Sequence, residues 1–548
     1  MITLPRPARV NQWFVWLGIA LSALMSARAI AAPRARVHAA PPASLPSPRI
    51  VSTNGDTLAW VDGHAITADD LRRRIELMPW PVKHGNANLD SARVKALESL
   101  VAEQLLAEQA RREGLDQSNR LVRTREALRK TLVRDALYHD IARGGADPTA
   151  AGISRAMIAR TPGRSALRTA ALRRVVADSL RQLSTGVRAR SFMEQTLVGR
   201  RATVDSVSLL MLADTLRTLM ATTTRESGST SMGAGEFADL LLERLGATLD
   251  RPLVRMSDGD MTLGDCIGTM RFYPFTLHAR ARRDFAAELS ARLKEMVEGE
   301  QMTREALRRG LANDPEVVGE VDRWTTAWLA ELMLERAASS PAASRDEAIR
   351  WLAREQPERA RDLFEVDVAE VLSETRARAL LERARLEAGA NLDSLASRET
   401  RRMEWSARGG RSGFFGVAAH PRLGMTALLS AGDTLIGPVP LPEGYSVFRV
   451  LARRVRPDSA DAAAPLIRNA LGRATAAKRA DALAQAIAAL AARSRLRIDY
   501  AALRNTPIVP ANMVTKRMIG FGGGMMAAPM LVPLWSWVGY WRNASIAP

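Results

Sequence analysis

The sequence predicts a mostly α-helical protein of several domains, with one small α+β domain towards its C-terminal end. Three observations lead to this fold class. The chain has 548 residues, more than one ordinary domain holds. Hydrophobic residues make up 47% of it and charged residues 25%, which is typical of globular chains. Helical spacing of apolar residues dominates most of the chain, whereas residues 364–455 contain strand-like alternation and glycine-rich turns.

The composition excludes several classes of function. The net charge is +19, but the arginines are mixed with acidic residues along predicted helices, so we interpret them as solvated helix faces and expect no nucleic-acid partner. The single cysteine, Cys266, excludes a disulfide within the chain. The six histidines lack metal-ligand spacing, and the motifs of zinc proteases, serine hydrolases and phosphate-binding loops are absent. We therefore expect no metal and no cofactor.

The N-terminal residues resemble a secretory signal. Arg6 and Arg9 precede a short apolar run at 13–25, and small residues suited to cleavage follow it. The run is short for a membrane span, which favours a cleaved signal peptide over residues 1–31 rather than a retained anchor helix. Residues 32–56 are rich in Pro, Ser and Ala and are predicted to be a flexible linker. We therefore expect export to the periplasm or cell envelope.

The C-terminal tail, residues 506–548, leaves two interpretations open. Its stretch 518–541 contains no charged residue and is long enough to cross a membrane. Several glycines and prolines make it a poor helix, while its tryptophans suit a membrane interface. The alternatives are membrane association through 518–541 and a loose apolar tail.

An internal repeat is visible in the first two thirds of the chain. Each copy has a short strand, an Asp-Gly turn, a Thr-x-x-Asp helix cap and a long amphipathic helix that ends at a glycine. In the order turn, cap and final glycine, the copies read Asp62-Gly63, Thr67 with Asp70, and Gly114, then Asp258-Gly259, Thr262 with Asp265, and Gly310. The two long helices carry matching apolar stripes.

This repeat resembles the N-terminal chaperone region of SurA-like exported folding factors, in which helices surround an apolar cradle for unfolded clients. We assign one SurA-N-like unit to residues 57–145 and a second to 251–362. Residues 146–250 are predicted to be helical, without an assigned role. Residues 457–505 are predicted to form a helix and a strand, and the resemblance places residues 496–500 beside the strand at Leu58 to Val61.

Three glycine-containing motifs follow one another in the α+β domain, residues 363–456. They are Gly-Gly-Arg-Ser-Gly-Phe-Phe-Gly at 409–416, Gly-Asp-Thr-Leu-Ile-Gly-Pro-Val at 432–439, and Gly-Tyr-Ser-Val-Phe-Arg-Val at 444–450. Their order resembles parvulin-type peptidyl-prolyl cis-trans isomerases. The resemblance implies a four-stranded antiparallel sheet wrapped by helices, which acts on Xaa-Pro segments of polypeptides.

The resemblance also implies site residues. Its catalytic positions fall on Glu370, Ser446 and Glu404, where Glu370 and Ser446 replace two histidines that the family usually carries. Its substrate-binding positions fall on the four residues Ser412, Phe414, Phe415 and Leu423.

Glu370 has two interpretations, because an isolated buried carboxylate is costly. It is either a polar site residue paired with Ser446 or a strand-end group that reaches water, and the sequence favours the second.

Three functions fit these patterns. The first is an exported folding factor that combines a chaperone for unfolded envelope or secreted proteins with a peptidyl-prolyl isomerase. The second is a binding-only chaperone with an inactive parvulin fold, as the loss of both histidines suggests. The third is a membrane-tethered scaffold that uses the tail. A pocket filled by side chains would contradict the first.

Overall fold

The computed structural model describes residues 57–76, 89–143, 147–160, 170–227, 231–273, 275–278, 280–337, 341–432, 434–507, 517–518, 524–525 and 531–544. The predicted signal peptide and linker, and much of the tail, lie outside these residues. Helices dominate, and the sheets are small and antiparallel, so the predicted fold class is confirmed.

The helices are numbered in chain order. They are α1 Ala68–Glu76, α2 Leu89–Arg112, α3 Asn119–Arg143, α4 Ala150–Arg160, α5 Ala170–Leu197, α6 Ser206–Ser227, α7 Ala238–Arg244, α8 Leu263–Phe272, α9 Arg282–Arg308, α10 Pro315–Ala337, α11 Arg345–Glu355, α12 Pro357–Leu363, α13 Arg376–Glu387, α14 Leu392–Glu399, α15 Met403–Ser406, α16 Pro421–Leu429, α17 Ala460–Arg493, α18 Tyr500–Asn505 and α19 Trp537–Ala544.

The strands form small antiparallel sheets. They are β1 Thr57–Val61, β2 His64–Thr67, β3 Ala202–Val204, β4 Ser231–Gly233, β5 Pro252–Met256, β6 Met261–Thr262, β7 Thr276–His278, β8 Phe364–Ser373, β9 Phe415–Gly416, β10 Ile436–Leu441, β11 Gly444–Val455, β12 Leu496–Ile498, β13 Arg517–Met518 and β14 Gly524–Met525. Their orders are β12-β1-β2, β3-β5-β6, β4-β7, β13-β14 and β10-β11-β8-β9.

The chain divides into two compact units. Where the structure describes them, unit 1 comprises Ala32–Glu335 and Ala486–Pro548, and unit 2 comprises Arg336–Gln485. The second repeat was assigned to residues 251–362, but the division falls before α11 and α12. Buried residues of these helices, including Leu352 and Ala360, share a core with β8. Both helices therefore belong to the sheet domain.

The capping pattern of the two repeats is present at atomic detail. The Thr67 hydroxyl accepts from the Asp70 amide at 3.2 Å, and the Thr67 amide donates to the Asp70 carboxylate at 3.0 Å. The pair Thr262 and Asp265 repeats both bonds at 3.1 Å. Gly114 and Gly310 have φ angles of 72° and 75°, the left-handed conformation predicted for the helix ends.

Each repeat completes its sheet with a strand from another part of the chain. β12 pairs with β1, and Ala59 lies opposite Ile498, which confirms the predicted pairing. In the second repeat β3 pairs with β5 in the same antiparallel manner. An aspartate follows each added strand. The Asp499 amide donates to the Leu58 carbonyl of β1, and the Asp205 amide donates to the Leu253 carbonyl of β5. The side chain of each aspartate also caps the helix that follows it. Residues 202–227, which had no assigned role, thus complete the second repeat.

The two repeats also exchange helices. Helix α3 of the first repeat packs against α8 and α9 of the second. Glycine permits this approach, because a Cβ at Gly268 would lie only 3.1 Å from the Ala127 Cβ. Helix α10 of the second repeat packs in turn against the first, since Leu329 of α10 is buried with Ala107 and Ala110 of α2. Unit 1 is therefore a single interlocked body built from both repeats.

The described part of the tail is packed against unit 1. Leu531, Trp537 and Val538 are buried, and the Trp537 indole donates to the Glu98 carbonyl of α2 at 3.1 Å. The Leu534 amide donates to the Ser99 hydroxyl at 3.0 Å. Residues 531–544 are therefore not a loose tail. None of the helices that the structure describes is both long and apolar enough to span a membrane.

A half-buried carboxyl group in unit 1 predicts pH-dependent stability. Burial, together with the nearby carboxylates of Glu103 and Glu335, raises the pKa of Glu331 on α10 to about 7 against the attraction of Arg74 and Arg120. The ordinary value is 4.5, so the folded state holds this proton more tightly than the unfolded chain. The contribution of Glu331 to the free energy of unfolding therefore falls as the pH rises from about 4.5 to about 7, and it stays low at higher pH.

Replacing Glu331 with glutamine should remove this dependence. At pH 8 we expect the variant to be more stable than the wild type by up to about 3 kcal/mol, and near pH 4 the difference should vanish. Chemical denaturation monitored by hydrogen exchange in α10 measures the free energy of unfolding of each protein at the two pH values. Glu243→Gln, the same change at an exposed helical position, should show a small difference at either pH. A pH-independent effect of Glu331→Gln would contradict the proposed linkage.

Candidate functional site

The four-stranded sheet of unit 2 supports the candidate site. Its long central strands β8 and β11 are antiparallel, with Glu370 opposite Phe448 and Leu372 opposite Ser446. Because side chains alternate across a strand, Glu370, Leu372, Ser446 and Phe448 all project from one face. The sheet order β10-β11-β8-β9 is the four-stranded antiparallel arrangement predicted from the glycine motifs.

The glycine-rich turn before β9 is held against β8. The Glu370 amide donates to the Gly410 carbonyl at 2.9 Å, and the Ser412 amide donates to the Val368 carbonyl at 2.9 Å. Gly410 has a φ of 81°, and a Cβ there would lie 2.4 Å from the Glu370 carbonyl oxygen. Only glycine satisfies both conditions. The turn therefore holds the backbone of β8 in place at Glu370.

Glu370 forms a buried ion pair. The residue is 1% exposed, and one carboxylate oxygen accepts a hydrogen bond from the Arg402 Nε at 2.7 Å. The Arg402 guanidinium also lies 4.5 Å from the centre of the Trp405 ring and 3.8 Å from the carboxylates of Glu404 and Glu443. The favoured interpretation of Glu370, a strand-end group that reaches water, is therefore wrong, and its ion partner is Arg402 rather than Ser446.

Three buried polar atoms of this site have no hydrogen-bond partner among the described residues. They are the second carboxylate oxygen of Glu370, the Arg402 Nη2 and the Ser446 hydroxyl. Ser446 is 0% exposed and stands two residues from Phe448 on the strand beside Glu370. Each unpaired buried polar atom lowers the stability of the folded state by about 1–3 kcal/mol. These three atoms would therefore gain from hydrogen bonds to a bound ligand.

Three rings form an aromatic group next to the ion pair. The Trp405 and Phe415 rings stack with centroids 6.0 Å apart, and the His420 ring meets both edge-on at 5.6 and 5.2 Å. Trp405 is buried, whereas Phe415 and His420 are half-buried. We call Trp405, Phe415 and His420 the aromatic trio. Its outer members, Phe415 and His420, are partly exposed to solvent.

The remaining predicted site residues lie in different environments. Glu404 is exposed beside Arg402. The Ser412 hydroxyl accepts from the Val368 amide at 2.9 Å and ties the turn to β8. Phe414 is partly exposed, with the Arg454 guanidinium 3.9 Å from its ring centre. Leu423 is fully buried in the core beneath the aromatic trio.

Arg402, Trp405 and the contact that His420 makes were not predicted from the sequence. Arg402 gave no signal because arginine is common throughout this chain. Trp405 lies in a short helix, α15, that no apolar period marks. His420 lies outside the family's usual histidine positions, so the resemblance did not select it. In the folded protein these residues surround the polar and aromatic part of the site.

The accessible part of the site offers aromatic rings against which an apolar group can pack. The structure describes no cluster of three metal-binding side chains. Glu370 and Ser446 are enclosed, whereas Glu404 and the rings of Phe415 and His420 are at least partly accessible. In this conformation a ligand would contact Phe415 and His420 before it reached Glu370 or Ser446.

Comparisons with known proteins give structural similarities only. No family model and no curated protein matches the sequence. A PpiC-type peptidyl-prolyl cis-trans isomerase domain is 24% identical over 17% of this chain and 93% of its own, with a TM-score of 0.16. PrsA from Bacillus subtilis is 14% identical over 47% of this chain and 98% of its own, with a TM-score of 0.16.

SurA-like chaperones are also among the similar structures. The structure described for PEB4 and Cj1289 of Campylobacter jejuni is 15% identical over 38% of this chain and 86% of its own, with a TM-score of 0.18. The kinds of protein that the sequence motifs resemble are thus found again among solved structures.

Proposed function

We propose that this protein is an extracytoplasmic folding factor that binds unfolded polypeptides, and that its sheet domain binds Xaa-Pro segments without accelerating their isomerisation. One observation carries this proposal. Glu370 and Ser446, two of the three positions that the resemblance assigns to catalysis, are enclosed, while Phe415 and His420 of the aromatic trio beside them remain partly accessible.

The aromatic trio suits proline as a ligand. Proline presents an apolar ring on a backbone with a fixed φ angle, and aromatic surfaces bind such segments at low entropic cost. Phe415 and His420 offer the accessible ring surface, and Trp405 supports them from below. Arg402 under Trp405 holds that ring in place by a cation–π contact.

The proposed lack of catalysis rests on the enclosure of the polar groups that would have to contact the twisted imide. Rotation about the Xaa-Pro bond crosses a barrier of roughly 20 kcal/mol, and a catalyst lowers it only by binding the twisted imide better than the planar forms. Glu370 is engaged with Arg402, and Ser446 is covered. Neither can contact the imide without rearrangement of the site.

A working isomerase is the second candidate function. It is favoured by the three unpaired polar atoms of Glu370, Arg402 and Ser446. If the site opens around a substrate, these atoms could bond to the imide carbonyl and to neighbouring amides. Substrate binding would then be coupled to opening of the site, as in enzymes whose catalytic groups reach their working positions only when substrate binds.

The sheet-domain proposal is tested with the purified protein and a proline-containing peptide. NMR titration measures binding, and exchange spectroscopy measures the cis–trans rate. We expect saturable binding with no acceleration. Phe415→Ala should weaken binding roughly tenfold, because a stacked aromatic contact is lost. Leu451→Ala is the matched control, since Leu451 is an exposed apolar residue of β11 outside the predicted site.

Two results would change the conclusion. Acceleration that Phe415→Ala abolishes would establish the isomerase and remove the binding-only interpretation. Equal binding by the wild type and Phe415→Ala would place the Xaa-Pro site elsewhere. Hydrogen exchange of β8 in each variant shows whether the sheet remains folded.

Client binding and export are separate parts of the proposal. The chaperone-like repeats support the first, and the N-terminal signal pattern supports the second. Suppression of aggregation of a denatured envelope protein tests client binding. An alkaline phosphatase fusion placed after residue 56 tests export, because the enzyme is active only outside the cytoplasm. An inactive fusion that accumulates in the cytoplasm would remove the extracytoplasmic assignment.

A further inference from the structure

Helices α4 and α5 of unit 1 carry apolar side chains that no other described element covers. Leu183 and Val187 on α5 are 65% and 68% exposed, and Val175 and Ile158 are also exposed. Single exposed aliphatic residues are ordinary. Here Leu183, Val187 and Arg190 follow one another at helical spacings of four and three residues, so two apolar side chains and a cation share a stripe.

The same two helices are strongly basic. They contain seven arginines and two acidic residues, Asp178 and Glu194, and no lysine. In the described part of the chain, several of these arginines make no ion pair: Arg155, Arg173, Arg174 and Arg190. Arg181, by contrast, pairs with Asp147 and Asp178. The surface therefore combines uncompensated guanidinium groups with exposed aliphatic side chains.

We propose that the α4–α5 surface binds the face of an anionic phospholipid membrane. Arginines can contact lipid phosphates while Leu183 and Val187 enter the boundary between headgroups and acyl chains, as basic amphipathic helices do. A nucleic acid would use the arginines but would gain nothing from the aliphatic residues. The membrane contact lies on α4 and α5, outside the tail, and goes beyond client binding.

Vesicle co-sedimentation of the full protein tests this inference. We expect binding to vesicles of phosphatidylcholine with roughly 30% phosphatidylglycerol and little binding to pure phosphatidylcholine, with the difference reduced at high salt. Leu183→Ser/Val187→Ser should weaken binding roughly tenfold, because two partly inserted aliphatic side chains are lost. Arg173→Gln/Arg190→Gln should weaken it several-fold and flatten the salt dependence.

A matched control is available in the same unit. Val207→Ser/Leu210→Ser changes two exposed aliphatic residues on α6 and should leave vesicle binding unchanged. Circular dichroism verifies folding, and the aggregation assay reports client binding separately. Equal affinity for the two vesicle types would overturn the proposal. So would unchanged binding by both surface variants, or preferential binding of poly-glutamate over anionic vesicles, which would identify an acidic polypeptide as the partner.

Discussion

Replacing Arg402 with leucine should destabilise the sheet domain by about 3–5 kcal/mol, because the substitution leaves the Glu370 carboxylate buried without its ion partner. The strand cannot release this charge to water, since Glu370 lies in the middle of β8 with β11 and the glycine turn on either side. Hydrogen exchange of β8 amides as a function of denaturant measures the loss within unit 2.

The double variant Glu370→Leu/Arg402→Leu separates charge burial from packing. We expect it to recover most of the lost stability, because removing both charges together also removes their desolvation cost. Arg449→Leu, at an exposed position of β11, should change stability by less than about 0.5 kcal/mol. If Arg402→Leu matched that control, the buried ion pair would not be a structural requirement.

Replacing Trp537 with alanine should destabilise unit 1 by about 3–5 kcal/mol. Trp537 is 0% exposed, and its indole donates a hydrogen bond to the Glu98 carbonyl, so the change removes both a large apolar group and a partner for buried backbone. Hydrogen exchange of α2 amides monitors the loss, because Glu98 belongs to that helix.

Trp541 provides the comparison for this substitution. It lies on the same helix, contacts Trp537 with ring centroids 5.8 Å apart, and is only half-buried. Trp541→Ala should therefore cost clearly less than Trp537→Ala. Equal, small effects of both changes would mean that α19 does not contribute to the stability of unit 1.

The sequence was informative wherever local chemistry determines structure. The Thr67–Asp70 and Thr262–Asp265 caps depend on residues three positions apart. The turn at Gly410 requires a conformation that glycine adopts readily. The pairing of β12 with β1 was predicted from the resemblance, since nothing local connects such distant strands. The exchange of α3 and α10 was not predicted, because an apolar stripe does not specify its partner.

The candidate site shows the same division. Phe415 could be selected because it belongs to a glycine motif, and the structure places it in the aromatic trio. Arg402 could not be selected, because its role depends on the three-dimensional position of Glu370, 32 residues earlier. The sequence also could not show that Leu423 would be buried. Side-chain enclosure arises from packing among several elements, and a single motif does not encode it.

The pairing of β12 with β1 affects the order in which the protein can fold. The first repeat is synthesised before the segments that complete it. Its strand β1 pairs with β12, and its helix α2 binds Trp537, which lies 439 residues after Glu98. Closing so long a loop is slow, whereas unit 2 is one continuous segment whose contacts form earlier. Nascent chains should therefore expose the apolar surface of the first repeat until β12 and residues 531–544 have been synthesised.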